Sequence, residues 1–404
     1  MLAYRDLRDR LRGWPKPAGC RYEDRAPLLT AAFPGTFNMS STEHHWLREH
    51  GGYLDWTHDY VFSTVQSCIR VGDVELLRDD APWHLGVFEM ADLAGEVSLH
   101  RRPDYADLQG GQIRALVRFL AGLGIGPERV HASYCAGGRV ADLTGGAYAF
   151  PFEVPPDTLS RDAFAAAGVP AANLLPDRTR TTLLSLHVHR PTPWGYRNEI
   201  FVDAGTAAAP VLVDVATAEY LVWRPVFAGA ATDRRAIVGL APLDAGAVGI
   251  GVGVERLCAV VNGLARVHDV DHLRPFYAVL GAALGADAGP GLYYAGESLR
   301  ALHRIYTDLH HHPEARFRPH PAGGRALSTK RRKKAARLKR NVPPRLDGAT
   351  LERLLDLHAC AQPWHAHLAD GIAPTVRAIG DYRGGSTAPP GRAPRGVSAS
   401  SGAA

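Results

Sequence analysis

The sequence predicts an α+β fold, a mainly antiparallel sheet flanked by helices and followed by a helical C-terminal region. Three observations carry this expectation. Between Thr181 and Gly253, segments rich in β-branched and aromatic residues succeed one another with no helix between them, which antiparallel neighbours permit and parallel crossovers do not. Earlier, "YADLQGGQIRALVRFLAGLGI" has helical periodicity in spite of its two glycines. From Leu257 onward the pattern is helical almost throughout.

Taken in order, residues 1–30 predict a short helix followed by a segment containing Pro and Gly. The second half of "LDWTHDYVFSTVQSCIR" and "WHLGVFEMADL" predict strands, and "GPERVHASYCAGG" a turn and a strand. "TTLLSLHVHR", "NEIFVDAG", "VLVDVA", "YLVWRPVFAG" and "AIVGLAPL" continue the strand series. Helices are then expected in "RLCAVVNGLARV", "LRPFYAVLGAAL", "ESLRALHRIYTDLH", a basic segment and "GATLERLLDLHACAQPWHAHLA". The divisions expected are residues 1–265, 266–380 and a disordered Gly/Pro/Ser/Ala tail at 381–404.

Of 404 residues, 46% are hydrophobic and 22% charged, and no apolar run reaches bilayer length, which argues against a membrane span. The charged N-terminus argues against a secretory signal. Five scattered cysteines without a CxxC pair suggest a reduced, cytoplasmic protein. The net charge of +5 is local. Lys330–Arg340 holds eight basic residues and no acid, leaving −3 for the remainder. Ser328 or Thr329 is placed to cap this basic helix. Without interleaved aromatics, its contacts with nucleic acid would be to phosphate, through Lys330, Arg331, Arg332, Lys333, Lys334 and Arg337.

The most informative stretch is "AVGIGVGVERLCAV", in which Gly249, Gly251 and Gly253 alternate with apolar residues before Glu255 and Arg256. Alternating glycines weaken a strand and suggest that something approaches its backbone closely. An arginine at the following helix start suits a flat ring or a phosphate. No GxxxxGK[ST] loop or Ser-His-Asp order is present. Cys68 precedes Arg70 by two residues and is expected to be a packing residue. His187 and His189 share a strand face but have no partner set nearby, and His310–His312 suggests a polar helix end, so no metal site is predicted.

"GVGVERLCAVV" resembles the third signature motif of class II aminoacyl-tRNA synthetases. "TVQSCIR" resembles the motif 2 strand of the alanyl-tRNA synthetase family, and "FEM" the strand that returns after its loop. "GPERVHASY", "NEIFVD" and "YLVWRPVF" are similar to further segments of that family, in its order and near its spacing, across Tyr60 to Phe276. "HPAGGRALSTKRRKKAARL" is a looser counterpart of its tRNA-recognition helix, and the editing domain has no counterpart.

The resemblance implies a class II synthetase-like core that uses ATP and Mg²⁺ to activate a carboxylate as an acyl-adenylate. In this reading Arg70 holds the α-phosphate and the substrate carboxylate, and Arg256 lies on the adenine and reaches the γ-phosphate. Phe88 and Met90 border the base, Glu199 lies near the nucleotide or its metal, and Gly251 and Gly253 let the adenylate lie on backbone. Leu186, Trp223, Arg224 and Gly249 fall at substrate-pocket positions. At Gly249 the family has the aspartate that holds the substrate ammonium, and at Arg224 an asparagine. Losing an acid and gaining a guanidinium favours a larger or acidic carboxylate over L-alanine, unless Asp244 or Glu219 replaces the lost acid.

The function expected is therefore activation of an amino acid or related carboxylic acid, with transfer to tRNA, a small molecule or a carrier. A specialised paralogue of alanyl-tRNA synthetase is the leading form. A genuine alanine–tRNA ligase and a non-catalytic nucleotide- or tRNA-binding paralogue with a shortened motif 2 loop are the alternatives. The sequence leaves the oligomeric state open.

Overall fold

A computed structural model describes residues 1–14, 20–22, 28–29, 37, 59–79, 81–98, 105–185, 192–205, 209–229, 237–285, 289–311 and 327–385, without the side chains of 79, 94–98, 105–107 and 385. Its strands are β1 (Arg21–Tyr22), β2 (Tyr60–Ile69), β3 (Val87–Ser98), β4 (Val130–Cys135), β5 (Gly138–Arg139), β6 (Glu153–Val154), β7 (Leu174–Asp177), β8 (Leu183–Ser185), β9 (Trp194–Asp203), β10 (Leu212–Phe227) and β11 (Ile237–Gly253). Its helices are α1 (Tyr4–Arg12), α2 (Val71–Leu76), α3 (Tyr105–Gly122), α4 (Val140–Leu143), α5 (Thr158–Ala166), α6 (Val254–Val261), α7 (Arg274–Leu284), α8 (Gly289–His311), α9 (Thr329–Arg340), α10 (Gly348–Cys360) and α11 (Ile372–Gly385).

The main sheet has the order β1-β2-β3-β11-β10-β9-β4-β7, with β8 also paired to β9. Only β1–β2 and β4–β7 are parallel; the other pairs in the sheet are antiparallel. This is the mixed α+β arrangement expected, with helices against the sheet and a helical C-terminal part. Two expected pairs of segments are each continuous. "VLVDVA" and "YLVWRPVF" form the single strand β10, and "AIVGLAPL" runs into the glycine segment as β11.

The main core joins Val65, Ile69, Ile250 and Val252 of the sheet to Leu7 of α1, Leu257 of α6, Leu299 of α8 and Leu354 of α10. The C-terminal helices thus share one apolar interior with the strands. Buried charges reinforce the junction. Glu297 of α8 accepts the Gly86 and Val87 amides through Oε2 at 2.8 and 2.9 Å, and its other oxygen takes the Tyr277 hydroxyl and the Arg300 guanidinium. Arg304 donates to Ser67 Oγ at 2.8 Å.

Ser328 caps α9 by accepting from the Arg331 amide, as the sequence suggested. α11 continues through residues 381–385, inside the span expected to be tail. The Arg383 guanidinium ties it down by donating to the carbonyls of Leu346 and Pro343 at 2.8 Å. No disulfide links the five cysteines. No helix among the described residues is long and apolar enough to cross a membrane.

Candidate active site

The cross-strand register aligns side chains of four strands on one face. Phe88, Met90 and Asp92 alternate along β3, and Gly253 and Gly251 of β11 face Met90 and Asp92. On the other flank, Thr217 and Glu219 of β10 face Gly251 and Gly249. Glu199 and Arg197 of β9 face Thr217 and Glu219 in turn. The three glycines leave a trough about 13 Å long, at ~3.3 Å rise per residue. Its flanks carry Met90 and Asp92 on one side and Thr217 and Glu219 on the other. A cavity of about 580 Å³ lies over it.

Arg70, Arg256, Phe88, Met90, Glu199, Gly249, Gly251 and Gly253 all line this cavity, so the two arginines, far apart in sequence, share one space. Arg70 follows the last residue of β2 as the N-cap of α2, with its guanidinium 5.3 Å from the centre of the Phe88 ring. Arg256 lies in the first turn of α6. It donates from Nε to the Trp83 carbonyl at 2.9 Å and from Nη1 to Asp214 Oδ2 at 2.9 Å.

Gly251 has a nearer reason to be glycine than an adenylate. A Cβ there would lie 2.9 Å from Asp92 Oδ1 and 3.0 Å from Met90 Sδ. At Gly253 a Cβ would meet nothing closer than 3.8 Å, so the close-approach argument has room there.

Glu255, next to Arg256, also borders the cavity, but its carboxylate is engaged by backbone. Its carboxylate is buried and accepts the Glu89 amide at 3.0 and 2.9 Å, and burial followed by repulsion from Glu89 pushes its pKa up to about 8. Glu89 itself takes Arg8 Nε at 2.8 Å and the Tyr4 hydroxyl at 2.9 Å. The Glu-Arg pair of the motif therefore divides its work, with the acid anchoring β3 and the base tied to Asp214 and the Trp83 carbonyl.

Two substrate-pocket expectations are corrected. Trp223 and Arg224 do not line the cavity. Against β9, β10 carries one extra residue between Leu221 and Trp223, which re-aims Trp223 to lie opposite Trp194, while against β11 the extra residues are on β11, between Pro242 and Ala247. Trp223 packs instead beside Tyr196 and Phe152, with ring centres 5.0 and 6.1 Å away, and Arg224 is exposed. The guanidinium expected in the pocket from Arg224 is absent, and Arg197 lines the cavity in its stead. Leu186, His187, His189, His44, His45 and His312 lie outside the described residues.

Of the two acids considered as replacements at Gly249, one borders the cavity. Glu219 is directly cross-strand from Gly249 and lines the cavity, whereas Asp244 is exposed and away from it. Burial pushes the Glu219 pKa up to about 7, against the opposing charges of Arg197 and Arg70. Asp92, buried beside Gly251, adds a second carboxylate that the sequence reading missed. Glu199 takes Arg197 Nε at 3.0 Å and the Thr217 hydroxyl at 2.7 Å. Its pKa is raised first by burial, and repulsion from Asp214 adds to this. Glu199 and Asp214 both line the cavity, and carboxylate oxygens are the donors that a hard cation such as Mg²⁺ takes.

The basic helix also differs from expectation. Lys334 and Arg337 line the cavity, and Arg337 pairs with Glu75 of α2 at 2.8 Å. Arg331 is 3% exposed, and burial lowers its pKa to about 10, so it is removed from the surface that a nucleic acid would meet. Lys330, Arg332 and Lys333 are exposed as expected. Cys68 is fully buried, and burial holds its thiol far above the usual range, in keeping with a packing role.

The sequence matches no family profile and no curated protein sequence. Among solved structures, it is similar to the RNA binding domain of threonyl-tRNA synthetase from Cryptosporidium parvum Iowa II. That overlap has 9% identity and a TM-score of 0.37, and covers 64% of this chain and 64% of that one. It is also similar to PylSc, a pyrrolysyl tRNA synthetase of Desulfitobacterium hafniense, at 13% identity and a TM-score of 0.30, covering 66% of this chain and 72% of that one. These overlaps concern backbone arrangement; the chemistry of the site rests on its own residues.

Proposed function

We propose that this protein activates an amino acid with ATP, as an aminoacyl-adenylate, in the manner of the class II synthetases whose motifs it resembles. The observation that carries the reading is the convergence of Arg70 and Arg256 on one cavity above alternating glycines. Attack of a carboxylate oxygen on the α-phosphorus builds negative charge on the phosphoryl oxygens, and fixed guanidinium groups spread that charge without reorganising. Arg70 orients the carboxylate and α-phosphate. Arg256, held by Asp214 and the Trp83 carbonyl, flanks the nucleotide, with Phe88 and Met90 beside the base. Glu199 and Asp214 are the donors for Mg²⁺, which when bound neutralises phosphate charge.

The acids on the glycine trough favour an amino acid over a simple or acidic carboxylic acid. Glu219 replaces the aspartate missing at Gly249 from the neighbouring strand. The charges of both Arg70 and Arg197 reach Glu219. An α-carboxylate at Arg70 and an α-ammonium at Glu219 fit such a pair. The acceptor we propose is a tRNA, met by the exposed Lys330, Arg332 and Lys333 through backbone phosphate.

ATP–pyrophosphate exchange, run over a panel of amino acids and their deaminated analogues, tests the proposal. Exchange that depends on an amino acid and is absent with the deaminated acid is the expected result. Exchange with no member of the panel would leave the non-catalytic, nucleotide-binding reading in its place.

A further inference from the structure

Three metal-binding side chains meet well outside the glycine trough, at the C-terminal end of α8. His311 lies in the last turn of that helix. His367 and Asp370 lie in the chain between α10 and α11, Asp370 within a 3₁₀ turn at Ala369–Gly371. His311 Nε2 is 3.0 Å and His367 Nδ1 is 3.5 Å from Asp370 Oδ2, and one donor atom of each residue lies within 4.8 Å of the others. The imidazoles stack with centres 4.7 Å apart and planes 15° from parallel.

We propose that His311, His367 and Asp370 form a binding site for one zinc-class divalent ion, completed by water. Around a tetrahedral ion with bonds of about 2.0–2.1 Å, neighbouring donors lie roughly 3.3 Å apart. The two measured approaches to Asp370 bracket that spacing. The approach of His311 also has the wrong direction for a direct bond. Nε2 is shielded from solvent and close to the carboxylate, yet it makes no hydrogen bond among the described residues. That nitrogen is therefore not engaged in a hydrogen bond among the described residues, and with the neighbouring imidazole and carboxylate it can serve as a ligand to an ion. Two imidazoles and a carboxylate suit zinc, cobalt or nickel over calcium or magnesium, which prefer all-oxygen sets.

The backbone that carries Asp370 is held in place independently of any ion. His303, further down α8, bonds the Leu368 carbonyl through Nε2 at 2.8 Å. The Thr375 hydroxyl donates to the Gly371 carbonyl at 2.7 Å. Gly371 sits so tightly on Thr307 that a Cβ would lie 1.9 Å from its hydroxyl. The 368–371 backbone is therefore pinned to α8, so little ordering cost remains when an ion binds. An ion here would fasten the end of α8, from which the chain proceeds toward α9 with its cavity-lining Lys334 and Arg337.

The test is calorimetric titration of the full-length, untagged, chelator-stripped protein with zinc chloride. The expected result is one equivalent per chain, with affinity at least tenfold weaker in both His367→Ala and Asp370→Ala and unchanged in His310→Ala. The His367 side chain is 67% exposed, so His367→Ala should keep the wild-type melting temperature without metal and carries the comparison should Asp370→Ala fail to fold. Absence of saturable binding, or binding that survives His367→Ala at full affinity, would overturn the site.

Discussion

Replacing Glu219 by glutamine removes the charge proposed to hold the substrate ammonium while keeping the size of the side chain. Truncating one partner of a desolvated, hydrogen-bonded charge pair costs ~2–4 kcal/mol, which is roughly 30- to 700-fold in binding at about 1.4 kcal/mol per tenfold. The loss should fall on KM for the amino acid and leave KM for ATP unaltered, because Arg256, Phe88 and Met90 are untouched. The pH profile provides a second readout. The Glu219 pKa is raised from 4.5 to about 7 in the free protein, so close to a tenth of the chains carry the ionised form at about pH 6 and most do at about pH 8. The amino acid keeps its ammonium across that range. KM for the amino acid should therefore fall about tenfold as pH rises through this window in the wild type, and stay level in Glu219→Gln.

Stability should move the opposite way. A carboxyl that ionises late in the fold but early in the unfolded chain lets the unfolded state shed its proton first. The share of wild-type stability linked to Glu219 thus declines between about pH 4.5 and 7 and then levels. Glu219→Gln should lack that share of the decline. Pyrophosphate exchange at several amino acid concentrations, paired with denaturant melts across pH, measures both. An unchanged amino acid KM with an unchanged pH profile in Glu219→Gln would refute the ammonium assignment.

Other substitutions separate the remaining roles. Arg70→Gln and Arg256→Gln should each lower kcat/KM in pyrophosphate exchange by about 10²-fold or more, the scale of losing one preorganised donor at a charged transition state. Gly251→Ala places a methyl against Asp92 and Met90, and a denaturant melt should report a loss of about 1–3 kcal/mol from overpacking. Glu297→Ala strands the buried Arg300 and leaves the Gly86 and Val87 amides without their acceptor. About 3–5 kcal/mol of destabilisation is expected, read from the denaturation midpoint. Neutralising Lys330, Arg332 and Lys333 should weaken tRNA binding and flatten its salt dependence while sparing exchange. Neutralising Lys334 and Arg337 should impair exchange itself.

The strands and helices were legible because their signals are local. β-branched runs, the periodicity of the later helices and the Ser328 cap depend on neighbours in sequence. The pairing of the two arginines was legible too, through the order of motifs that place each beside a strand end. What failed was register. Gly249 reads as a lost acid only while its own strand is considered; across the ladder it faces Glu219, a residue about thirty positions earlier in the sequence. Arg224 follows a tryptophan as the resemblance requires, but both residues lie past the register shift that follows Leu221 and neither lines the cavity, and no residue type announces a shift at that point. The basic helix misled for a related reason. With Ala335, Leu338 and Arg331 buried on one side, eight charges that seem to cover every face are divided between solvent, the protein interior and the cavity rim.

The glycine trough also raises a mechanical problem that the opposite face of the sheet answers. A strand with glycine at 249, 251 and 253 has no side chains on that face to hold its neighbours at a fixed spacing, and glycine adds backbone freedom. Catalysis by preorganised charge needs the reverse, a floor that does not move. On the other face Ile250, Val252 and Val254 are buried in the main core. Glu255 grips the Glu89 amide, and Glu89 is held by Arg8 and Tyr4 of α1, with His365 Nε2 3.3 Å from its second oxygen. Residues from both ends of the chain therefore clamp the strand that carries Phe88 and Met90. Loosening α1 with Arg8→Ala, on this argument, should reduce nucleotide affinity although Arg8 points away from the cavity. Nucleotide titration of that variant, beside a melt showing that it is still folded, distinguishes a stiffened floor from one that needs no support.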